Sequence, residues 1–190
     1  PKLGLPSTSG LLVLFSSTTG VLEALLLDNG YLTDVRTAAA GAVAAQHLAQ
    51  KDATRACVIG AGVQTRMQLK ALTLVRPITS AVIWARNADK ADATAASLRA
   101  ELGIDVTVST NIESAVRLAD IVVTTTPSDR PLVMGDWLQP GQHITAMGSD
   151  QEHKVETAPT CQAKATRYGP ESKTPFTHTG ELPGRAEGWV

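Results

Sequence analysis

Residues 55–66 read Arg-Ala-Cys-Val-Ile-Gly-Ala-Gly-Val-Gln-Thr-Arg, and this stretch decides the fold class. An apolar run typical of a buried strand leads into a tight Gly-Ala-Gly turn, and a helix-forming segment follows. Gly60 permits the turn and Gly62 lets the backbone approach a pyrophosphate, whose negative charge the helix N-terminus favours. Thr65 stands where the pattern has its third glycine, so a plain strand–helix turn in a sugar or flavin enzyme is the alternative.

Segments with strand and helix character alternate after this turn. We expect strands at 56–59, 80–84, 106–108, 121–124, 132–133 and 143–146, and helices at 63–74, 89–102 and 111–118. This order predicts βαβ crossovers and an α/β fold with a Rossmann-type, doubly wound parallel sheet. Before it, residues 11–28 predict a hairpin, and Thr33 or Asp34 is expected to cap an Ala-rich helix that runs to about Gln50.

Composition narrows the classes of partner. The 190 residues are 43% apolar, and 17 basic against 18 acidic residues give a net charge of −1. Without a field of one sign, we expect neither nucleic acid nor a membrane as a partner. Cys57 and Cys161 are too few for a disulfide framework and lack partners at metal-ligand spacing, so we expect no metal and a cytoplasmic protein. The chain opens on Pro1, which reads like the interior of a longer protein.

The end of the second βαβ strand bears on the choice of cofactor. NAD sites usually place a carboxylate there for the ribose 2′-hydroxyl, and this chain has Arg86 and Asn87 instead. The Arg86 guanidinium could bind a 2′-phosphate, which favours NADP. If Arg86 is only a solvated surface residue, NAD stays possible.

Two later segments are candidates for the reaction cleft. Thr124, Thr125 and Thr126 end the fourth strand, where small hydroxyl residues can line a cofactor site; the β-propensity of threonine is the alternative. Met147-Gly-Ser-Asp150 follows another strand, and Asp150 could accept a proton from a substrate amine. The alternative for Asp150 is a solvated charge run or a helix cap.

Arg36 and Thr37 open the Ala-rich helix on this reading. An arginine at a helix start opposes the helix dipole, which indicates another use, such as binding a carboxylate or phosphate. A plain surface arginine is the competing interpretation.

Taken in order, several motifs resemble the ornithine cyclodeaminase/μ-crystallin family over about residues 1–157. Within that family the chain is most similar to the ectoine-utilisation cyclodeaminase-like proteins. The motifs are Arg36-Thr-Ala-Ala, Gly60-Ala-Gly-Val-Gln-Thr-Arg66, Arg86-Asn87, Thr124-Thr-Thr-Pro127, Gly148-Ser-Asp150 and Lys154-Val-Glu156.

The resemblance implies a homodimer with two domains. Residues 36–157 would be the Rossmann domain, while 1–35 and 158–190 would be incomplete parts of a catalytic and dimerisation domain. Family members carry a further N-terminal part, with a substrate-binding lysine, that this chain lacks.

The resemblance also implies roles for individual residues. Asp150 would be the catalytic carboxylate. Arg36 and Lys154 would bind the amino-acid substrate. Cofactor contacts would come from Thr37, Gly60, Gly62, Val63, Gln64, Arg86, Asn87, Thr124, Thr125 and Thr126.

The implied activity is NAD(P)-dependent cyclodeaminase or dehydrogenase chemistry on a small diamino acid. For the ectoine branch this would be a compound such as 2,4-diaminobutyrate, in ectoine degradation. The alternatives are a non-catalytic, crystallin-like NADPH-binding protein and a ketimine reductase that runs the same hydride step backwards.

Overall fold

The computed structural model describes residues 9–149 and 153–169, which form an exposed two-stranded sheet and a five-stranded sheet flanked by helices. The strands are β1 (Leu12–Phe15), β2 (Leu22–Leu26), β3 (Arg55–Ile59), β4 (Ser80–Trp84), β5 (Asp105–Val108), β6 (Ile121–Thr124) and β7 (His143–Ala146). The helices are α1 (Tyr31–Leu48), α2 (Val63–Val75), α3 (Ala88–Leu102), α4 (Ile112–Leu118) and α5 (Pro159–Lys164), with a 3-10 turn at Gly135–Trp137.

The larger sheet confirms the predicted fold class. Its strand order is β5-β4-β3-β6-β7, and every neighbouring pair is parallel. The chain runs outward from β3 to β5 and then returns to β6 on the other side of β3. In such sheets the ligand crevice lies beyond the carboxyl ends of the strands at this reversal.

The register brings three chain segments to that edge of the sheet. Ile59, the last residue of β3, is paired with Trp84 of β4 and with Thr124 of β6. The residues that follow these three positions are therefore neighbours at one edge. This places the glycine turn, the segment before Arg86 and the threonine run side by side.

The core is made of small and branched side chains. Val58, Ile83 and Val123 of three adjacent strands are buried together with alanines of α1 and α3. Cys57 is completely buried on the opposite face, and burial raises the pKa of its thiol to about 12. Cys57 is therefore a packing residue.

The predicted cap of α1 is wrong. The helix begins at Tyr31, after Gly30 in the left-handed conformation (φ 89°), and the Asp28 carboxylate accepts a 2.7 Å hydrogen bond from the Leu32 amide. Asp28, and not Thr33 or Asp34, thus supplies the side-chain oxygen for an amide in the first turn of the helix. Arg36 consequently lies in the second turn, so the dipole argument for its function does not apply.

The strand predicted at 132–133 is also wrong. Residue Val133 forms only an isolated bridge to Thr157. The amides of Leu132 and Val133 both donate to the Glu156 carbonyl, at 2.8 and 3.1 Å. Two donors that converge on one acceptor cannot continue the alternating pattern of a strand ladder.

The described residues include no helix long and apolar enough to cross a membrane.

Candidate active site

The glycine turn after β3 requires Gly60. Its φ of +132° lies in the region that side chains rarely adopt, and its amide donates to the Trp84 carbonyl at 2.8 Å. A Cβ at this position would lie 2.3 Å from the Thr125 hydroxyl. Gly60 therefore lets the turn press against both neighbouring strand ends.

Gly62 has a different role, because it leaves open space. It precedes α2 with φ −96°, and a Cβ added there would meet no heavy atom within 4 Å. The amides of Val63 and Gln64 belong to the first turn of α2, where a helix offers them no carbonyl partner. An open surface in front of a helix N-terminus fits the diphosphate of a dinucleotide.

Thr65 replaces the third glycine without blocking the turn. Its hydroxyl accepts a 3.2 Å hydrogen bond from the Gly62 amide and lies 3.1 Å from the Thr125 hydroxyl. The side chain is completely buried between α2 and the end of β6. Helix–strand packing here uses a hydrogen-bonded threonine where the common pattern uses direct backbone contact.

Two glutamines join the start of α1 to the start of α2. The Gln64 side-chain amide donates to the carboxylate of Asp34 at 2.9 Å and to its carbonyl at 3.2 Å. The amide of Gln68 donates to the Thr37 carbonyl at 3.0 Å. Thr37 is thereby held next to the first turns of α2, and exposed Arg36 precedes it. Because the Gln64 side chain is bound to Asp34, its predicted contact with the cofactor would come from its backbone amide.

The residues after β4 have separate roles. Arg86 is exposed, while Asn87 caps α3 by accepting a 2.8 Å hydrogen bond from the Lys90 amide. An asparagine directly before an Ala-rich helix is a strong cap signal. The contact of Asn87 with the cofactor stays a prediction.

The threonine run lies between the glycine turn and the last strand. The Thr125 amide and hydroxyl both donate to the Ile59 carbonyl, at 2.8 and 3.1 Å. Thr124 is completely buried, and its hydroxyl donates to Glu156 at 2.7 Å. In this structure Thr124 anchors the cleft wall, whereas Thr125 and Thr126 are half-buried at the cleft edge.

Glu156 is a further polar residue of this edge of the sheet, and it is not among the predicted site residues. Its carboxylate is completely buried and accepts from Thr124, from the amide and hydroxyl of Thr126 and from the Gly148 amide. Burial raises the pKa of this carboxyl, while the hydrogen bonds act in the opposite direction. In the sequence Glu156 belongs to the Lys154-Val-Glu156 motif, but that pattern assigns it no role in the site.

The predicted catalytic carboxylate, Asp150, lies outside the described residues. Gly148 and Ser149 lead to it from the end of β7, and both are half-buried. Lys154 is half-buried as well. Within residues 9–149 and 153–169, no cluster of three or more His, Cys, Asp or Glu side chains could hold a metal ion.

Comparison with known proteins places the chain in a family. The family model for the ornithine cyclodeaminase/mu-crystallin family matches residues 1–186. The chain belongs to this family. Members of the family include NAD(P)-dependent cyclodeaminases, reductases and dehydrogenases. An uncharacterized cyclodeaminase of Sinorhizobium fredii is 58% identical over 182 residues, which are 96% of this chain and 55% of that relative. The chain spans about half the length of the curated relatives it matches.

Solved structures of the ornithine cyclodeaminase/mu-crystallin type share the fold. The Thermococcus litoralis Δ1-pyrroline-2-carboxylate reductase, in complex with NADH and L-proline, is 35% identical with a TM-score of 0.78; the match covers 83% of this chain and 48% of that one. An archaeal alanine dehydrogenase dimer with bound NAD is 36% identical with a TM-score of 0.79, covering 87% and 50%. Nicotinamide cofactors are thus bound in structures that share this chain's fold.

Replacing each glycine of the turn with alanine should cause a different defect, one in stability and one in cofactor binding. Gly60→Ala should lower the free energy of unfolding by about 2 kcal/mol or more, because of its positive φ and the contact with Thr125. Gly62→Ala should change it by less than about 1 kcal/mol yet weaken NADH binding at least about tenfold, because the new methyl group occupies the diphosphate space. Denaturant unfolding and NADH fluorescence titration measure the two effects. Gly62→Ala binding NADH as tightly as the wild type would contradict this assignment.

Proposed function

We propose that this chain is the cofactor-binding part of a cytoplasmic oxidoreductase that transfers hydride between NAD(P) and the α-carbon of a small amino or imino acid. The observation that carries the proposal is the open space before Gly62 at the N-terminus of α2. It lies at the reversal of strand order, beside the ends of β4 and β6. A dinucleotide seated there extends along the carboxyl edge of the sheet.

When bound, the nicotinamide supplies or accepts the hydride. The chain's own residues have to bind the substrate and handle its protons. The Arg36 guanidinium is suited to the substrate carboxylate, with Lys154 as a second cationic group. Asp150 is the group proposed to take the proton from the substrate nitrogen or return it. Thr37, held by Gln68, is proposed to bind the cofactor phosphates.

Two reactions fit this arrangement, and different relatives favour each. Reduction of a cyclic ketimine acid is favoured by the likeness to the pyrroline-2-carboxylate reductase bound to NADH and L-proline. Cyclodeamination of a diamino acid is favoured by the more similar cyclodeaminase relative. For 2,4-diaminobutyrate as the substrate, and for ectoine degradation as its setting, the support is the resemblance of the sequence motifs alone. In both, hydride moves at the carbon that carries the nitrogen.

The reaction is tested with purified protein and both substrates. Δ1-pyrroline-2-carboxylate with NADH or NADPH should consume the reduced cofactor, and 2,4-diaminobutyrate with the oxidised cofactor should release ammonia if cyclodeamination is the activity. Asp150→Asn should lower turnover at least about 100-fold and change cofactor affinity less than about threefold, because it removes only the proton acceptor.

If the protein binds the cofactor tightly but neither consumes reduced cofactor nor releases ammonia, the enzyme proposal is refuted. That result would support the non-catalytic NADPH-binding alternative. Equal turnover by Asp150→Asn and wild type would remove Asp150 from the mechanism.

Arg86 is proposed to select NADPH over NADH. It is exposed after β4, the strand whose end meets the adenosine ribose in folds of this kind. Arg86→Ala should raise the Kd for NADPH at least about tenfold, from the loss of charged hydrogen bonds, and leave the Kd for NADH within about twofold. Fluorescence titration measures both, with Arg117→Ala on α4 as the matched control. An equal loss of affinity for NADPH and NADH would contradict recognition of the 2′-phosphate by Arg86.

We further propose that the β1–β2 hairpin belongs to a dimerisation domain and is covered in a homodimer. Its strands expose apolar side chains on both faces, among them Leu14 at 49%, Phe15 at 57% and Leu22 at 54%. Single exposed apolar residues are ordinary, but so many on one hairpin mark an interaction surface.

The hairpin proposal is tested by oligomeric state. Val13 and Leu25 are cross-strand partners, so Val13→Lys with Leu25→Lys puts two charges on one face and should weaken the dimer at least about tenfold in sedimentation velocity. Leu74→Lys, at an exposed leucine of α2 outside the hairpin, is the control. A wild-type protein that sediments as a monomer would refute the proposal.

A further inference from the structure

We propose that Glu156 is a positioning residue for hydride transfer: its carboxylate sets the distance between the loop after β6 and the turn after β7. This inference rests on the proposed function, since those two segments form one wall of the proposed reaction cleft. Glu156 touches neither cofactor nor substrate in this account and acts through the residues that it holds.

The carboxylate bridges two segments of the chain with one oxygen for each backbone amide. Oε1 accepts from the amide and hydroxyl of Thr126, at 2.6 and 2.8 Å. Oε2 accepts from the Gly148 amide and the Thr124 hydroxyl, both at 2.7 Å. Each oxygen therefore accepts from at least two donors, and moving either segment breaks a charge-assisted hydrogen bond.

The backbone segments that the Glu156 carboxylate bridges are tightly packed against each other. A Cβ on Gly148 would lie 2.1 Å from the Thr126 carbonyl and 2.7 Å from the Glu156 carboxyl carbon. The turn after β7 is thus in direct backbone contact with the loop after β6. A shift of either segment by a few tenths of an ångström would have to move the other.

Glu156 is itself fixed from the far side. Its carbonyl accepts from the amides of Leu132 and Val133, and the Ala158 amide donates to the Val133 carbonyl at 2.8 Å. The carboxylate therefore acts as a fixed point to which the cleft wall is attached. Through Thr125, whose amide donates to Ile59, this point is connected to the glycine turn.

Burying the charged Glu156 carboxylate costs free energy of desolvation. A completely buried carboxylate is stabilised only where donors surround it, and an apolar replacement would leave the Thr126 and Gly148 amides unsatisfied. In the sequence, Gly148 precedes Asp150 by two positions and the threonine run borders the glycine turn. The bridge thus holds the chain on both sides of the place where cofactor and substrate are proposed to meet.

Glu156→Gln tests the bridge by amide exchange and by kinetics. In this variant the side-chain NH2 group replaces one carboxylate oxygen and faces a donor in place of an acceptor. The backbone amide hydrogen of Thr126 or of Gly148, or both, should therefore exchange with solvent at least about tenfold faster. The amides of Thr125 and Met147 bond to Ile59 and Thr124 and should stay within about twofold, as internal controls. Turnover should fall at least about tenfold while the Kd for NADH changes less than about threefold. Glu113→Gln, in an exposed pair with Arg117, is the matched control and should change none of these values.

Thr124→Val keeps both backbone hydrogen bonds to the carboxylate and removes one donor, so it serves if Glu156→Gln does not fold. It should accelerate Gly148 exchange and lower turnover, each by about threefold. Unchanged exchange in the variant that folds would overturn the bridge, and faster exchange with unchanged turnover would overturn the positioning role. A wild-type protein that binds no nicotinamide cofactor would refute the proposed function instead, while the exchange data would still decide whether Glu156 holds the two segments together.

Discussion

The contact between the backbone at Gly60 and the Thr125 hydroxyl is the constraint on which the rest of the site depends. An added Cβ would lie 2.3 Å from that hydroxyl, so the turn after β3 can be this tight only without a side chain. The close approach directs the chain at Gly62 outward and starts α2 with its first amides at the carboxyl edge of the sheet. An anion site at a helix N-terminus follows from this geometry.

Hydrogen bonds extend this constraint along the edge of the sheet. Thr65 joins the turn to Thr125, and Thr125 joins it to Ile59. Beyond the threonine run, Glu156 connects the same wall to Gly148. On the other side, Gln64 and Gln68 attach the start of α1 to α2. The proposed cofactor cleft is therefore built by polar side chains that bind backbone groups, above an apolar sheet.

The sheet was predictable because its signals are local and repeated. Apolar runs such as 56–59 and 121–124 alternate with helix-forming segments, and the glycine turn indicates where the first crossover begins. The predicted start of α1 and the predicted strand at 132–133 were wrong, because other groups than expected form hydrogen bonds with the backbone amides there. Asp28 supplies the α1 cap from four residues upstream of Leu32, and the Glu156 carbonyl takes both amides that a strand at 132–133 would use. The contacts of Glu156 were not predicted for the same reason, since Thr124 and Thr126 lie 32 and 30 residues away in the chain and only Gly148 is near, at eight residues. The roles of Arg36, Lys154 and Asp150 come from the family resemblance and stay predictions.

The central claim is that a dinucleotide's diphosphate binds at the start of α2. A crystal structure of the protein with NADH tests it most directly. The account predicts diphosphate oxygens within about 3 Å of amides between Gly62 and Gln64, with the nicotinamide directed toward the Thr126–Gly148 side of the cleft. A cofactor bound elsewhere, with the surface in front of Gly62 filled by protein side chains, would contradict the account.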